Sequence, residues 1–95
     1  MTHAGLIVLY QWRIAEQHVP TFTQCWAKAT EDLKAYGALG SLLARGEDGT
    51  HWAIARWQSC EKRAEAEVGY LSEDDWPPAQ RLQTIMLEPL ENRWI

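Results

Sequence analysis

One segment of the chain, residues 19–36, has a helical period regular enough to constrain the architecture around it. Its apolar residues recur at alternating steps of three and four, which places them on one stripe of an α-helix: Val19, Phe22, Trp26, Ala29, Leu33 and Tyr36. Polar and charged residues occupy the other side, and Gly37 follows as a helix-ending residue. A single helix of this length is marginal alone, so the pattern predicts a surface that the stripe covers.

The segments before and after this helix have the alternation of β-strands. Residues 5–14 place one wholly apolar set on one face (Leu6, Val8, Tyr10, Trp12 and Ile14) and begin the other face with Ile7 and Leu9. Residues 38–45 form a weaker strand, in which Gly40 predicts a bulge, and residues 51–57 form a third. Because the turn cluster at residues 46–49 separates the last two, they are predicted to pair as a hairpin.

The C-terminal part predicts one more helix and one more strand. Ser59 is a suitable N-cap for a helix over residues 60–68, whose apolar side would be Cys60, Ala64 and Val68. Residues 70–78 form a loop with an acidic run, Glu73, Asp74 and Asp75, that is predicted to be solvated. A short helical turn is expected at residues 77–82. An extended segment follows at residues 84–95, where Pro89 favours an edge position.

Composition limits the classes of protein to which the chain can belong. Its 95 residues predict a single domain over residues 1–95, and a chain this short gains core by oligomerisation. No apolar run has the length of a membrane span, and the first residues lack the features of a signal peptide, so a cytoplasmic protein without a membrane is expected. A net charge of −4 without a basic cluster argues against a nucleic-acid partner.

The order strand, helix, strand, strand, helix, strand predicts an α+β fold of the ferredoxin-like βαββαβ type. This topology gives a four-stranded antiparallel sheet with two helices on one face. The other face of the sheet then has no cover within the chain, although the first strand is apolar on both sides. Since the uncovered faces of two subunits can pack together, we predict a homodimer.

Three segments of the chain resemble the antibiotic biosynthesis monooxygenase family, within the dimeric α+β barrel superfamily. They are residues 9–14, the helix from Phe22 and Trp26 into residues 36–41, and the end of the third strand, residues 55–59, with Trp57. The resemblance implies a cofactor-independent monooxygenase that oxidises a small aromatic substrate, a quinol or a polyketide-like compound. It also implies a pocket between sheet and helices, bounded by Trp57 as the one catalytic residue carried over.

Three other family positions differ here. The haem-degrading branch has a histidine ten residues after its tryptophan, where this chain has Glu67, and an asparagine on the first strand, near Tyr10 or Gln11. The polyketide-oxidising branch has an asparagine four residues before the tryptophan, where this chain has Ala53. The alternative is therefore a non-catalytic dimeric protein that binds a small aromatic ligand on the same fold, and no bound cofactor is expected in either case.

The residues themselves predict where such a ligand would lie. Small residues beside Trp57 leave room on the sheet, and aromatic residues of the first helix could form the opposite wall; the predicted pocket residues are Tyr10, Phe22, Trp26, His51, Ala53 and Ala55. The alternative for the alanines is that they let the helix approach the sheet closely. Tyr10 could donate to a substrate oxygen or have a structural partner instead. His51 has the chemistry of a general base, although an exposed histidine is the commoner case.

Metal and thiol chemistry are not expected. Cys25 and Cys60 lie far apart without a ligand motif, so they are interpreted as reduced thiols. The three histidines, His3 among them, have no spacing typical of a metal site. Cys60 lies at the beginning of the predicted second helix, but no base is placed to activate its thiol.

Overall fold

The computed structural model describes residues 5–70, 75–91 and 93. Within them the elements follow the predicted order: β1 (Leu6–Arg13), α1 (Val19–Leu33), β2 (Ala38–Arg45), β3 (His51–Trp57), α2 (Cys60–Gly69) and β4 (Gln80–Leu87). The strands form one antiparallel sheet in the order β2-β3-β1-β4, which is the ferredoxin-like α+β fold. The predicted fold class is confirmed.

The first helix forms as its period predicts. Pro20 lies at its beginning, where a missing N–H costs no hydrogen bond, and a 3₁₀ turn at Lys34–Tyr36 continues it to Gly37. Gly37 has a φ of 102°, and its N–H donates to the Lys34 carbonyl at 3.2 Å. A Cβ at this position would lie 2.9 Å from Cβ of Lys62, so glycine fits both the left-handed turn and the approach of α2.

The hairpin of β2 and β3 is also confirmed. Its turn is closed by the Gly46 N–H, which donates to the Thr50 carbonyl at 2.7 Å. Asp48 accepts from both the hydroxyl and the backbone N–H of Thr50, at 2.6 and 3.0 Å. The predicted bulge lies at Gly40, where the pairing register of β2 shifts between Ala38 and Gly40.

Both helices cover one face of the sheet. Leu6, Val8 and Trp57 from the sheet pack with Ala66 of α2 in a buried cluster. Phe22 of α1, which is 2 % exposed, contacts Trp12 of β1 edge-on with ring centroids 5.2 Å apart. The region between α1, α2 and the sheet is therefore where a buried site can form.

The predicted apolar side of α2 is wrong. Cys60 and Ala64 are exposed and Val68 is 86 % exposed, whereas Ala66 is buried and the Arg63 side chain is largely buried. The reason is that α2 packs through a small alanine and the stem of an arginine, and a long charged side chain can cover apolar surface along its methylenes. Ser59 caps the helix as predicted, because its Oγ accepts from the Lys62 N–H at 3.1 Å.

The C-terminal strand begins earlier than predicted. Residues 77–79 have no regular structure, so the expected helical turn at residues 77–82 is wrong, and β4 starts at Gln80. Pairing with β1 determines this start, because Arg81 lies opposite Trp12 and Gln80 opposite Arg13. Pro89 follows the strand, which is at the sheet edge as predicted. His3, Glu73, Asp74 and the last two residues, 94 and 95, lie outside the described residues.

Candidate functional site: an aromatic cavity between sheet and helices

A cavity of about 690 Å³ lies between the sheet and the two helices. Its sheet side is formed by large rings at two positions of β1 and by small residues of β3 and β2 that leave space beside Trp57: Tyr10, Trp12, Ala53, Ala55, Ala38, Gly40 and Ser41. The helix α1 supplies the opposite wall with Phe22, Trp26, Ala29, Thr30 and Leu33. The volume and the apolar walls are those of a site for a small flat molecule.

The third wall is contributed by α2 and the chain that follows it. Arg63, Glu67 and Tyr70 line the cavity on this side, and Trp76, Pro77, Ala79 and Arg81 line it where the chain approaches β4. Trp76 contacts Phe22 edge-on with centroids 5.2 Å apart, so Trp12, Phe22 and Trp76 form a row of three rings across the cavity.

Five of the six predicted pocket residues line this cavity together with Trp57. They are Tyr10, Phe22, Trp26, Ala53 and Ala55. Trp57 is 4 % exposed, and its indole Nε1 is buried without a hydrogen-bond partner in the described part of the chain. Trp12 Nε1 is also buried without a hydrogen-bond partner among the described residues. Two indole N–H groups at the cavity walls can therefore each donate a hydrogen bond to a ligand.

His51 lies elsewhere. It is 4 % exposed, so the expectation of an exposed histidine is wrong, and it lines a second cleft of about 330 Å³ with Val19, Thr23 and Leu43. His51 is the first residue of β3 and lies opposite Arg45. Trp26 of α1 borders the cleft on one side and the large cavity on the other, so His51 is buried on the cleft side of Trp26 and does not reach the cavity. His51 Nε2 accepts from Arg45 Nε at 3.4 Å.

Tyr10 has a structural partner. Arg63 of α2 donates to its hydroxyl oxygen from Nε at 3.3 Å and from Nη2 at 3.2 Å. The Nη1 group of Arg63 pairs with Glu67 at 2.7 Å, and the Arg63 side chain is 12 % exposed. This arginine therefore joins β1 to α2 at the cavity wall, and its charge is matched by a carboxylate in a partly buried place.

The second arginine of the lining comes from β4. The guanidinium carbon of Arg81 lies 4.4 Å from the ring centroid of Trp12 and 4.9 Å from that of Tyr10. Both distances are within the range of a cation–π contact. Sequence reasoning missed Arg63, Glu67, Tyr70, Trp76 and Arg81, because they come from α2 and from the chain after it, where periodicity was weak or misleading.

Metal and haem ligation find no support in the described residues. No three histidine, cysteine, aspartate or glutamate side chains among them are grouped closely enough to hold a metal ion. Glu67, at the position where the haem-degrading branch has a histidine, is ion-paired with Arg63, and the described lining contains no imidazole for an iron. Cys25 and Cys60 are free thiols.

No described helix has both the length and the hydropathy needed to cross a bilayer.

Two solved structures share this fold at low sequence identity. MupZ from Pseudomonas fluorescens superposes with a TM-score of 0.63 at 12% identity, over 95% of this chain and 72% of that chain. Rv0793 from Mycobacterium tuberculosis gives a TM-score of 0.62 at 16% identity, over 94% of this chain and 98% of that chain. No family model and no curated protein matches the sequence. The likeness establishes the ferredoxin-like α+β fold of this chain.

Proposed function

We propose that this chain is a cofactor-independent monooxygenase that binds a small aromatic substrate, a quinol or a polyketide-like compound, in the cavity between sheet and helices. The observation that carries the proposal is the cavity itself, about 690 Å³ between Trp57 with its alanine neighbours and the aromatic residues of α1. The resemblance to antibiotic biosynthesis monooxygenases adds the reaction class. An aromatic cavity suits the reaction because it holds a planar substrate and limits the access of water to a reactive anion.

The reaction is balanced without a further reductant. For an anthrone-like substrate, one ring CH₂ and one O₂ become one C=O and one H₂O, so the substrate is oxidised and each oxygen atom has a destination. The substrate first loses a proton to form an electron-rich anion, which transfers an electron to O₂. The radicals recombine as a hydroperoxide, which then loses water.

The lining supplies candidates for both parts of this chemistry. Trp57 is the wall against which the substrate ring packs. The Tyr10 hydroxyl accepts two N–H groups of Arg63, so its own proton is available to the oxygen on which negative charge develops. Glu67 is the one carboxylate of the described lining; its Oε1 pairs with Arg63, and its Oε2 is the candidate acceptor for the substrate proton.

We infer in addition that the protein acts as a homodimer in the cytoplasm. The sheet face away from the helices carries a continuous apolar surface, in which Ile54 of β3 lies between Leu9 and Leu42 of the neighbouring strands. Leu42 is 53 % exposed and Leu87 of β4 is 43 % exposed. A second copy packed face to face would bury this surface.

The experiment is oxygen uptake by metal-free protein with a panel of quinols and anthrone-like aromatics. The native protein is expected to show uptake that saturates with substrate. The variant Trp57→Phe should keep the fold and lower the rate, while Val68→Ala on the exposed side of α2 should leave it unchanged. Equal turnover by Trp57→Phe would remove Trp57 from the mechanism, and no uptake with any compound would contradict the reaction.

The second candidate function is binding of the same class of ligand without chemistry. What favours it is the described lining, which has Ala53 where the polyketide-oxidising branch has an asparagine, and which contains no histidine. Binding measured by tryptophan quenching in the same samples separates the two functions. Quenching without uptake would support the binding protein, and quenching with saturable uptake would support the oxygenase.

A further inference from the structure

Arg81 is held at the cavity by two aromatic rings. Its guanidinium lies over both Trp12 and Tyr10, at 4.4 and 4.9 Å from their centroids. No carboxylate among the described residues pairs with it. A guanidinium over an aromatic ring keeps its N–H fork available for a planar anion, and the carboxylate is the group whose geometry matches that fork.

The other charged and phenolic groups of the described lining either offer a donor or are already paired. The Tyr10 oxygen accepts two hydrogen bonds from Arg63, which leaves its proton to donate. The only carboxylate of the described lining, on Glu67, is already bound to Arg63 at 2.7 Å, and Tyr70 donates to Asp32 at 3.2 Å. A ligand that satisfies this end of the cavity therefore brings acceptor oxygens.

The charges of the lining also favour an anionic ligand. The described lining carries two guanidinium groups, Arg63 and Arg81, against one carboxylate, Glu67. This positive excess occurs in a protein whose net charge is −4. Arg81 is itself an exposed residue of the edge strand, so the uncompensated charge lies at the mouth of the cavity while the rings lie within.

We propose that the ligand of this cavity is an aromatic anion, a flat ring system that bears a carboxylate. Its ring lies among the tryptophans, and its carboxylate oxygens bind the Arg81 guanidinium. The proposal rests on the proposed function in one respect, that the cavity binds an aromatic molecule. It adds the charge and the functional group of that molecule, and it makes Arg81 the residue that determines specificity.

The test is calorimetric titration with two probes of one shape, 2-naphthoate and 2-naphthamide, which differ in charge. The native protein is expected to bind the naphthoate about tenfold more tightly, the usual effect of a charged hydrogen bond. Arg81→Gln should abolish this preference with little effect on the amide, and Arg81→Lys, which keeps the charge without the fork, should retain part of it. Arg93→Gln makes the same change of net charge on a side chain that is 87% exposed and should keep the preference.

The outcomes distinguish the charge of the ligand from the presence of an aromatic binding site. Equal binding of both probes by the native protein, or an unchanged preference in Arg81→Gln, would overturn the anion while leaving an aromatic site. Binding of neither probe at millimolar concentration would overturn both the anion and the proposed function. If Arg81→Gln fails to fold by circular dichroism, Arg81→Lys decides, because its preference must then fall below that of the native protein and of Arg93→Gln.

Discussion

The Arg63 guanidinium donates two hydrogen bonds to the hydroxyl oxygen of Tyr10 across 53 residues of sequence. This pair joins the second helix to the central strand β1, and the same guanidinium pairs with Glu67 one turn later. Because the Arg63 side chain is only 12 % exposed, the contact is shielded from water more than an ordinary surface pair.

The Tyr10 and Arg63 contact is predicted to be energetically coupled. In a double-mutant cycle of Tyr10→Phe and Arg63→Gln, we expect a coupling energy of about 1.5–3 kcal/mol in urea unfolding, as for hydrogen bonds to a charged donor. A parallel cycle of Tyr10→Phe with Lys28→Gln, whose lysine pairs with Asp32 on α1, should be additive. Additivity in both cycles would show that the contact does not stabilise the fold.

Ala53→Leu tests whether the alanines beside Trp57 border open space. If they do, the leucine fills part of the cavity, binding of aromatic ligands falls by at least about tenfold, and the free energy of unfolding changes by less than about 1 kcal/mol. If the alanines instead allow close packing of helix on sheet, the same change costs about 1–3 kcal/mol or more. Ala64→Leu on the exposed side of α2 is the control and should alter neither quantity.

Trp57→Phe is predicted to be a mild change in stability. The residue is buried among Leu6, Val8 and Ala66, but its indole N–H has no partner in the described residues, so no hydrogen bond is lost. We expect a loss of about 1–2 kcal/mol, and about 3–5 kcal/mol for Trp57→Ala, in chemical denaturation. A loss for phenylalanine as large as that for alanine would mean that the indole has a polar contact in solution.

The uncovered sheet face predicts a dimer at micromolar concentration. Ile54→Glu places a charge at the centre of this face, between Leu9 and Leu42, and should give a monomer in sedimentation velocity. Val68→Glu makes the same change of charge at a residue that is 86 % exposed on α2 and should leave the dimer intact. A compact native monomer would contradict this account of the sheet face.

The turn of the hairpin carries the pH dependence that the structure predicts. The Thr50 hydroxyl and its backbone N–H both donate to the Asp48 carboxylate and lower its pKa from the ordinary value of 3.8. A pKa that is lower in the folded state gives stability that is present above the ordinary value and lost as the pH falls through the folded value. The native protein should therefore exceed Asp48→Asn in stability at pH 6 by more than at pH 3, and a difference that does not change with pH would be inconsistent with the lowered pKa.

The sequence was most informative where local periods and packing agree. Residues 38–45 and 51–57 were predicted with the bounds that the structure has, because a turn cluster and a helix cap mark their ends. The helix α2 was misread because its buried side consists of Ala66 and the stem of Arg63, which a hydrophobic pattern does not register. The start of β4 was misplaced because its pairing with β1, not its own composition, determines it.

The cavity was predicted in part for the same reason. Ala53, Ala55 and Trp57 share a face by simple alternation, and Phe22 and Trp26 share a helix stripe, so the sequence could bring these two walls together. Arg81 and Trp76 reach the cavity only through the path of the chain after α2. By the alternation of side chains along β3, His51 belongs to the same face of the sheet as the cavity, but it lies at the end of the strand, beyond Trp26. Alternation predicts the face on which a residue lies and not its position along the strand.

The three walls of the cavity differ in how firmly they are attached. The central strands β1 and β3 are paired on both sides, and α1 anchors itself with Phe22 and Ala29. The ten-residue helix α2 buries Ala66 alone, and its other attachments are polar: Arg63 donates to Tyr10, and the Gly69 carbonyl accepts from the Tyr36 hydroxyl. Segments with few buried apolar contacts open at the lowest free energy, so α2 should exchange its amide hydrogens before the sheet does. One wall of the cavity would then be mobile and the opposite wall rigid, and the fluctuations of α2 would determine the rates at which an aromatic ligand binds and dissociates.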